Sequence, residues 1–543
     1  MTNVSQASER MVVDWKNFDV ARNQTVNFQQ PGATSAVLNR VSGSGKATEI
    51  LGSINANGRV FVVNPDGVMF GRTAKVNVGS LVASSLNASS QEFMEGGRAY
   101  SGEAGSGATN APRYLSLQGG QGTVRNEGRL NASGTVVLAG PQVANTGTIR
   151  ATAVTLQAGD GVAVRMDGSN LSAVLTRGRM DALVQNGGVI SANGGDIELS
   201  AAATGDLVRD VVRNTGVLEA VQATTGAGGR IELLAPISGA MSIGGKVTGA
   251  SVKADASPWS YGGFAGPELE YEQDVATTGH DIRVEKFAQV KSVEAIALAT
   301  DNDLTVNGRI DGGSVWLQGD DVTTQGRIHG ASNVNIDARG KLAQNGDIIA
   351  DTAHVLLRAH DIQQANGTMT RAGDYIRLDA KEAAGGTVRT AGLQGKTVYV
   401  RGHDIQLDGR VRASGNVHVE AVEKNECMDT CIAAVRPGGS IVQNGSVTST
   451  TGDVTFTGYT ITEYPDVTSI SQSGSLVQSA TSQTRAAGKV TVGTRRAEVG
   501  NIQAGQAIVV TSPSTTLIGR LAAPEITLPP GALNIDGNVR IKR

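Results

Sequence analysis

Three His-Asp pairs are the residues of this sequence whose types and spacing suit acid–base or metal chemistry. They are His280-Asp281, His360-Asp361 and His403-Asp404, with the related Asp320-Asp321 between the first two. An imidazole beside a carboxylate is an arrangement that general bases and metal sites use. The aspartates at positions 281, 321, 361 and 404 recur about every 40 residues, so their meaning depends on the repeat that positions them.

A short turn phrase recurs along the second half of the chain. It reads NGRI, QGRI, NGDI, NGTM, GGTV, DGRV and NGSV, and its second residue is always a glycine: Gly308, Gly326, Gly346, Gly367, Gly386, Gly409 and Gly445. The steps between these glycines are 18, 20, 21, 19, 23 and 36 residues. A β-rich triplet follows most of them, as in Val315-Trp316-Leu317 and Val355-Leu356-Leu357. Related phrases in the first half begin at Asn126, Asn145, Asn186 and Asn214.

This repeat predicts a β-solenoid. A period near 20 residues is too short for a propeller blade or a helical hairpin, and the leucine consensus of leucine-rich repeats is absent. Equivalent strands one coil apart pair in parallel, and parallel connections are nearly always right-handed. We therefore predict an all-β, right-handed parallel β-helix of about 20 residues per coil, with extra-helical loops. Asparagines before the corner glycines are expected to form side-chain amide ladders between coils.

The same geometry argues against catalysis. Two coils separate equivalent positions by about 9.6 Å, too far for the four aspartates to share one ion. The paired carboxylates Glu268/Glu270 and Asp301/Asp303 have no nearby His or Lys set that would divide acid and base roles. No phosphate-binding loop, zinc motif or nucleophile elbow is present. The sequence thus predicts no catalytic residues, no metal and no cofactor, and the aspartates are interpreted as residues of a repeated turn.

Composition and charge limit the classes of partner that the chain is expected to bind. Net charge is −3 and aromatic residues make up 3% of the chain, so we expect no nucleic-acid partner. No stretch approaches the ~18–20 apolar residues of a membrane span. The polar amino terminus lacks a basic segment followed by an apolar one, so the chain as given is expected to carry no secretory leader.

Residues 37–86 contain the densest set of motifs. They include Asn39-Arg40-Val41, the turn Asn64-Pro65-Asp66-Gly67, Phe70-Gly71 and Val76-Asn77-Val78-Gly79. Alternating apolar residues on either side of the Asn-Gly phrases predict strand–turn–strand. Asn at the first, Pro at the second and Gly at the fourth position of residues 64–67 favour a type I turn.

This stretch closely resembles the haemagglutination-activity domain of two-partner-secretion exoproteins, the family of filamentous haemagglutinin and the high-molecular-weight adhesins. The resemblance is dense over residues 10–90 and looser to about residue 200; Asp66 stands where the family usually has Asn. It implies export through an outer-membrane β-barrel transporter. It also ties seven residues to transporter recognition: Asn39, Arg40, Val41, Asn64, Pro65, Asp66 and Gly67. We expect replacing Asn39 or Asn64 to impair secretion more than stability.

The resemblance also suggests a domain division. Residues 1–235 are predicted to form the secretion-type β-helix domain, residues 236–300 an irregular insertion and junction, and residues 301–543 a β-helix with a Cys-containing loop at 421–440. In an oxidising periplasm we expect Cys427 and Cys431 to form a disulfide that closes this loop. Two unpaired thiols are the alternative.

The predicted function is that of a secreted or surface-associated adhesin, not an enzyme. Its implied partners are the transporter and a host-surface protein or glycan. One alternative is the amino-terminal part of a larger contact-dependent toxin or cytolysin of the same secretion class. The other is a carbohydrate-active β-helix enzyme, which would need an acid cluster or a calcium-bound basic residue on successive coils.

Overall fold

The computed structural model describes residues 1–43, 45–99, 111–168, 170–204, 210–221, 228–257, 280–380, 385–426, 439–463, 468–530, 533–535 and 541–542. The chain forms two compact units. Unit 1 comprises Met1–Asn302 with Asn307–Arg309, and unit 2 comprises Asp303–Val306 with Ile310–Arg543. Among the described residues, the single helix is Ser90–Met94, and no helix has the length and apolar character needed to cross a membrane.

Unit 1 is built from coils of up to three short strands, and equivalent strands stack in three parallel columns. The first column consists of Thr48–Ile50, Val68–Phe70, Thr123–Asn126, Gln142–Asn145, Leu183–Asn186, Asp210–Asn214, Ala240–Ile243 and Ile282–Val284. The second consists of Thr2–Ser5, Thr25–Gln29, Ser53–Ala56, Lys75–Val78, Arg129–Ala132, Thr148–Ala151, Val189–Ala192 and Val217–Glu219. The third consists of Arg10–Trp15, Ala36–Val41, Arg59–Val63, Ser80–Ser84, Thr135–Gly140, Ala153–Ala158, Ile197–Ala201 and Arg230–Leu234. Two long strands, Lys246–Asp255 and Gln289–Ala299, run from the second column into the third.

Unit 2 repeats the same plan. Its first column is Leu304–Val306, Val322–Thr324, Lys341–Gln344, Asp361–Gln364, Thr387–Thr390, Asp404–Leu407, Ser440–Gln443, Ser475–Gln478, Arg496–Val499, Ser514–Leu517 and Leu533–Ile535. Its second is Arg309–Gly312, Ile328–Gly330, Ile348–Ala350, Met369–Ala372, Gly392–Gly395, Arg410–Ala413, Ser446–Ser449, Gln483–Ala486, Asn501–Ala504, Leu521–Ala522 and Ile541–Lys542. Its third is Ser314–Gly319, Val334–Ala338, Val355–Ala359, Tyr375–Ala380, Thr397–Gly402, Val417–Glu426, Val454–Glu463, Val490–Gly493, Ala507–Val510 and Glu525–Thr527. The predicted all-β parallel β-helix is confirmed.

The core of each unit is a set of straight files of apolar side chains. In the third column of unit 2, the first buried position is held in register by Val315, Val334, Val355, Ile376, Val398, Val417, Val454, Val490 and Ile508, all of them fully buried. β-Branched side chains fill a pleated strand well and stack on their own kind across it. The β-rich triplets of the sequence are therefore the third strands of successive coils.

Four buried asparagines form a ladder inside unit 1. The Nδ2 atoms of Asn126, Asn145 and Asn186 donate to the Oδ1 atoms of Asn145, Asn186 and Asn214 at 2.7, 2.7 and 2.8 Å. Asn214 ends the ladder by donating to the carbonyl of Gly244 at 2.7 Å. These are the asparagines of the four first-half phrases, so the predicted amide ladder is confirmed at these positions.

A second, exposed ladder lies on the outer face of the second column. The amides of Asn27, Asn55, Asn77 and Asn131 each donate to the asparagine of the preceding coil, beginning with Asn3. Solvent can compete with these bonds, whereas the asparagines of the first ladder are buried. The same residue type therefore forms two ladders of unequal importance to stability.

Unit 1 also carries an antiparallel sheet that packs on the outside of its coils. Its strands are Asn87–Ala88, Arg98–Ala99, Arg113–Gln118, Gly161–Arg165 and Ser172–Arg177. With the short helix, this sheet covers the third column and encloses a second apolar core, which contains Phe61, Val82 and Val137 from the coils and Phe93 and Leu115 from the cover. The phenyl rings of Phe61 and Phe93 meet edge to face at 5.2 Å. We call this sheet and helix the cover.

Two regions of the predicted domain division combine regular coil strands with residues outside the described part of the chain. Within residues 236–300, the segments 236–257 and 280–300 contain regular coil strands, and the Trp259 to Tyr271 aromatic stretch lies outside the described residues. Residues 421–426 continue the strand Val417–Glu426, which pairs with Val454–Glu463. Thr468–Gln472 then folds back antiparallel on that second strand. Cys427 and Cys431 lie outside the described residues, so their disulfide stays a prediction, as does the division into domains.

Asn145→Ala tests the internal ladder. The variant leaves the Nδ2 group of Asn126 and the Oδ1 atom of Asn186 without their partners in a buried site, which should cost about 1–3 kcal/mol. Hydrogen exchange should therefore accelerate roughly tenfold or more in the strands Gln142–Asn145 and Leu183–Asn186. Asn77→Ala, in the middle of the exposed ladder, is the matched control and should change local exchange little. Equal acceleration in both variants would contradict a special role for the buried ladder.

Candidate functional site

The two export-linked motifs lie at one corner of unit 1, on consecutive coils. Asn39 and Arg40 pair in register with Val62 and Val63, and Asn64 follows Val63 directly. Strand pairing thus brings together two segments that are separated by more than twenty residues of sequence. We call this corner, Asn39–Val41 with Asn64–Gly67, the motif corner.

Asn39 is completely buried, with 0% of its surface exposed. Its Oδ1 atom accepts from the indole Nε1 of Trp15 at 3.0 Å, and its Nδ2 group donates to the carbonyl of Phe61 at 3.2 Å. Asn39 therefore joins three successive coils. A partner that contacts the folded surface cannot reach this side chain.

Asn64 is also buried and organises the turn that follows it. Its Nδ2 group donates to the Lys46 carbonyl at 2.9 Å and to Thr48 Oγ1 at 3.0 Å, on the preceding coil. Its Oδ1 atom accepts from the backbone of Asp66 at 3.0 Å, and its carbonyl accepts from the Gly67 amide at 2.9 Å. The predicted four-residue turn is thus present, closed by its first and fourth residues.

Gly67 is required by the backbone. Its φ is +122°, and a Cβ atom there would lie 3.0 Å from the Thr123 carbonyl oxygen. Among the motif residues, Arg40, Pro65 and Asp66 keep solvent contact, and Arg40 pairs with Asp14 at 2.7 Å. The motif corner therefore has a buried layer of two asparagines beneath an exposed Arg–Pro–Asp surface.

Arg59 is a site residue that the sequence reasoning missed. It is 4% exposed and donates to the carbonyls of Met166 at 3.0 Å and of Gly168, so that it ties the third column to the cover. Burial lowers the pKa of this guanidinium, with the nearby Arg10 charge acting in the same direction. A sequence signal for the cover did exist in the strands beneath it. Strands covered on both faces are nearly continuous apolar runs, and Arg59–Val63 and Ser80–Ser84 are buried at every position.

Three aspartates of the His-Asp series accept hydrogen bonds from the backbone of the following coil. Asp321 accepts from the Lys341 amide at 2.7 Å. Asp361 and Asp404 likewise accept from the amides of Thr387 and Ser440 on the following coil, at 2.9 and 3.0 Å. Burial alone would raise the pKa of Asp361 and Asp404, but bonds from the hydroxyls and amides of Thr387 and Ser440, together with the adjacent imidazoles, lower it.

His280 differs from the other two histidines of the His-Asp pairs in the carboxylate that it contacts. His360 and His403 contact their own neighbouring aspartates at 3.2 and 3.0 Å. The Nδ1 atom of His280 instead lies 2.8 Å from an Asp301 carboxylate oxygen, and its Nε2 atom lies 2.8 Å from the Ile237 carbonyl oxygen. Both partners accept, so only the doubly protonated ring satisfies both. In the described part of the chain, no group of three or more His, Cys, Asp or Glu residues is arranged to hold a metal ion.

Comparison with known proteins identifies the region around the motif corner. The family model of the TPS secretion domain matches residues 1–232. Residues 1–232, somewhat less than half of the chain, thus match a TPS secretion domain. The resemblance to two-partner-secretion exoproteins is thereby confirmed, and the motif corner, the buried asparagine ladder and the cover all lie within this domain.

Two curated relatives are named heme/hemopexin-binding protein and come from Haemophilus influenzae. One is 34% identical over 206 residues, which make up 36% of this chain and 21% of the relative. The other is 40% identical over 80 residues, 15% of this chain and 8% of that relative. The alignments thus span about a fifth or less of the relatives' length. The crystal structure of the HMW1 secretion domain from Haemophilus influenzae is also similar, at 16% identity, with 83% of this chain and 96% of that chain covered and a TM-score of 0.32.

Asn64→Ala tests whether the TPS domain uses this asparagine to build its fold. The variant removes bonds to the carbonyl of Lys46, to Thr48 and to the backbone of Asp66 in a buried corner, so unfolding free energy should fall by about 1–3 kcal/mol. Asp66→Ala, two residues away and exposed, should cost less than about 0.5 kcal/mol. Hydrogen exchange of the strands Thr48–Ile50 and Val68–Phe70 measures both. A stable Asn64→Ala corner would restore the expectation that Asn64 acts mainly in recognition.

His280 should make unit 1 more stable at mildly acidic pH. Burial alone would lower the pKa of His280, but the bonds to Asp301 and Ile237 and the carboxylates of Asp301 and Asp281 together raise it above the ordinary 6.5. The stabilisation is fully present below that ordinary value and is lost as pH rises through the folded pKa. After correction for the intrinsic exchange rate, the amides of residues 237–243 should therefore be better protected at pH 6 than at pH 8.5.

His280→Gln is the control for this titration. Glutamine cannot gain a proton in this range, so the pH-dependent difference in protection around residues 237–243 should shrink. An unchanged difference would assign the effect to other groups.

Proposed function

We propose that this chain is a secreted or surface-associated adhesin-like exoprotein that reaches the cell exterior through an outer-membrane β-barrel transporter and binds host or cell surfaces. The observation that carries the proposal is the TPS secretion domain at residues 1–232. Two-partner-secretion exoproteins are exported, and the domain implies a dedicated transporter as partner. The coils of unit 2 offer long, regular outer faces for surface binding.

The architecture suits export in an unfolded state. Each coil contacts only its neighbours, so a solenoid can fold progressively from one end. The third-column file that runs from Val315 to Ile508 is completed one side chain at a time as each coil is added. Folding outside the cell can thus oppose backward movement of the chain, so that export needs no nucleotide hydrolysis at the outer membrane.

The proposed role is not enzymatic. A carbohydrate-active β-helix would need carboxylates left available to substrate on successive coils. Asp321, Asp361 and Asp404 accept instead from backbone amides of the next coil. A contact-dependent toxin of the same secretion class would share residues 1–232 and differ by an effector domain, so the surface-binding activity of unit 2 distinguishes the two.

Transporter recognition is proposed to use the exposed layer of the motif corner. Arg40, Pro65 and Asp66 are accessible, while Asn39 and Asn64 hold them in place from below. The buried asparagines then affect secretion through the shape of the corner. The exposed residues affect it through contact.

Secretion from an engineered host tests the separate roles proposed for the buried asparagines and the exposed residues. The chain is expressed behind a Sec-type leader, with and without a two-partner transporter from the same organism, and protein in the medium is quantified. Secretion should require the transporter. Arg40→Glu/Asp66→Lys should reduce secretion several-fold while the purified protein unfolds as wild type does. Asn39→Ala/Asn64→Ala should reduce both secretion and stability.

The controls give each outcome a meaning. Asp337→Lys/Arg358→Glu exchanges the same charges on unit 2 and should secrete normally. Release without any transporter would contradict the proposed export route. Wild-type secretion of Arg40→Glu/Asp66→Lys would contradict recognition through the exposed layer.

A further inference from the structure

A small three-stranded sheet extends beyond the coils of unit 2. The strand Val417–Glu426 pairs with Val454–Glu463 over ten residues. The strands of the neighbouring coils are shorter, so that pairing with the preceding coil ends at Ala421 and pairing with the following coil ends at Thr457. The remainder of both long strands therefore continues past the coils, and a third strand folds back on it. We call this extension the wing; it consists of residues 422–426, residues 459–463 and the strand Thr468–Gln472.

The base of the wing is bonded to the coils. The Nε2 group of Gln472 donates to the carbonyl of Thr494 at 3.0 Å. The amide of Ser473 donates to the carbonyl of Gly458 at 2.9 Å, and the hydroxyl of Thr460 donates to that of Ser473 at 2.8 Å. The third strand of the wing is therefore held at a defined place beside the coils.

The outer edge of the wing is the open side of Thr468–Gln472. In the described part of the chain, this strand pairs only with residues 459–463, in antiparallel fashion. The third-column strands of the later coils, Val490–Gly493 and Ala507–Val510, pair along the coil axis and not with the wing. An antiparallel strand with one neighbour presents the N–H and C=O groups of alternate residues on its other side. The wing therefore ends in a row of backbone groups that can accept a further strand.

This edge lacks the features that usually prevent strand addition. Exposed edges are normally protected by charged residues, by proline, by a bulge or by very short strands. The sequence Thr468-Ser469-Ile470-Ser471-Gln472 contains no charge and no proline, and its pairing has no bulge. Ile470, at its centre, is 70% exposed. The wing edge is therefore open to another strand both in its backbone and in its residue types.

The cover of unit 1 has edges that are protected. On one side, Asn87–Ala88 and Arg98–Ala99 are only two residues long. On the other side, the carbonyl of Ala173 accepts from the Nε2 group of Gln157 at 2.8 Å. In the described part of the chain, no side chain makes such a bond to the backbone of the wing edge at Ile470. The open edge is thus a particular property of the wing.

We propose that the wing edge pairs with the same edge of a second copy of this chain. The central Ser-Ile-Ser sequence is identical in both directions, so antiparallel pairing about a two-fold axis at Ile470 matches the edge to itself. Each Ile470 then lies opposite its equivalent, and each Ser471 lies opposite the second copy's Ser469. An apolar β-branched pair of this kind is a favourable cross-strand pair, and no like charges meet. The edge is therefore complementary to itself in backbone, residue type and charge.

The size of the edge determines the strength and the limit of this association. Five residues of antiparallel strand span about 17 Å, and an interface this small falls below the roughly 1,000 Å² of a stable complex. We therefore expect a reversible dimer with a dissociation constant of about 10 µM or higher. Two-fold pairing occupies the edge of both copies, so association stops at two chains. This inference goes beyond the proposed function and does not rest on it.

Disulfide trapping in the purified full chain tests the predicted register. Opposed residues of an antiparallel pair have Cα atoms about 4.5–5.5 Å apart, within the roughly 4.4–6.8 Å that a disulfide spans. In a Cys427→Ser/Cys431→Ser background, Ile470→Cys should therefore form a disulfide-linked dimer as glutathione disulfide is reduced. The matched control is Val293→Cys in the same background, because Val293 is 71% exposed and lies in unit 1 on a strand paired on both sides. The control should remain largely monomeric.

Sedimentation equilibrium tests the pairing without a covalent bond. Ile470→Lys places two like charges opposite each other at the two-fold axis and removes the apolar pair, so self-association should weaken several-fold. Val293→Lys adds the same charge at an equally exposed position and should leave the wild-type association unchanged. Unchanged thermal unfolding of both variants shows that the coils are intact.

Four results would overturn the proposal. A wild-type chain that stays monomeric at high concentration, with no disulfide-linked dimer of Ile470→Cys, would show that the edge does not pair with itself. Equal trapping of Ile470→Cys and Val293→Cys would show random collision. Self-association that Ile470→Lys does not weaken would belong to another surface. A mass that rises beyond two chains with concentration would indicate open, head-to-tail assembly instead of a closed pair.

Discussion

In-register parallel pairing between coils is the constraint on which both units depend. It places each side chain directly above and below its equivalent, so every position becomes a file of like residues. Files of valine and isoleucine make the inner core, a file of asparagines crosses its corner, and a second file of asparagines lines one outer face of unit 1. The same geometry that builds the core therefore also spaces the surface chemistry.

Register also explains why three aspartates of the His-Asp series support the coils instead of converging on one site, as the sequence analysis expected. Residues that recur in sequence look like a converging cluster when the repeat is ignored. Stacked coils instead keep equivalent side chains a fixed distance apart, and each carboxylate turns to the nearest unsatisfied donor, a backbone amide of the next coil. Repetition in such a fold produces supports for the backbone more readily than it produces an active site.

The coils could be predicted from sequence because their signal is local. The phrases at Asn126 and Asn186 and triplets such as Val315-Trp316-Leu317 each specify a corner or a strand without reference to distant residues. The cover could not be predicted this way. Strands such as Arg113–Gln118 have the same composition as coil strands, and only their antiparallel pairing with Gly161–Arg165 sets them apart. The burial of Asn39 was missed for the same reason, since a strand with both faces covered shows no alternation.

The internal asparagine ladder has a direction. The Nδ2 group of each asparagine is satisfied by the coil that comes later in the chain, from Asn126 through Asn145 and Asn186 to Asn214. Between Asn126 and Asn214, a partly wound unit 1 therefore ends in an amide that lacks its acceptor until the next coil is added. Winding from the amino terminus leaves a single such end at any moment, whereas winding begun at several places would leave many. The ladder thereby favours winding that proceeds coil by coil from one end.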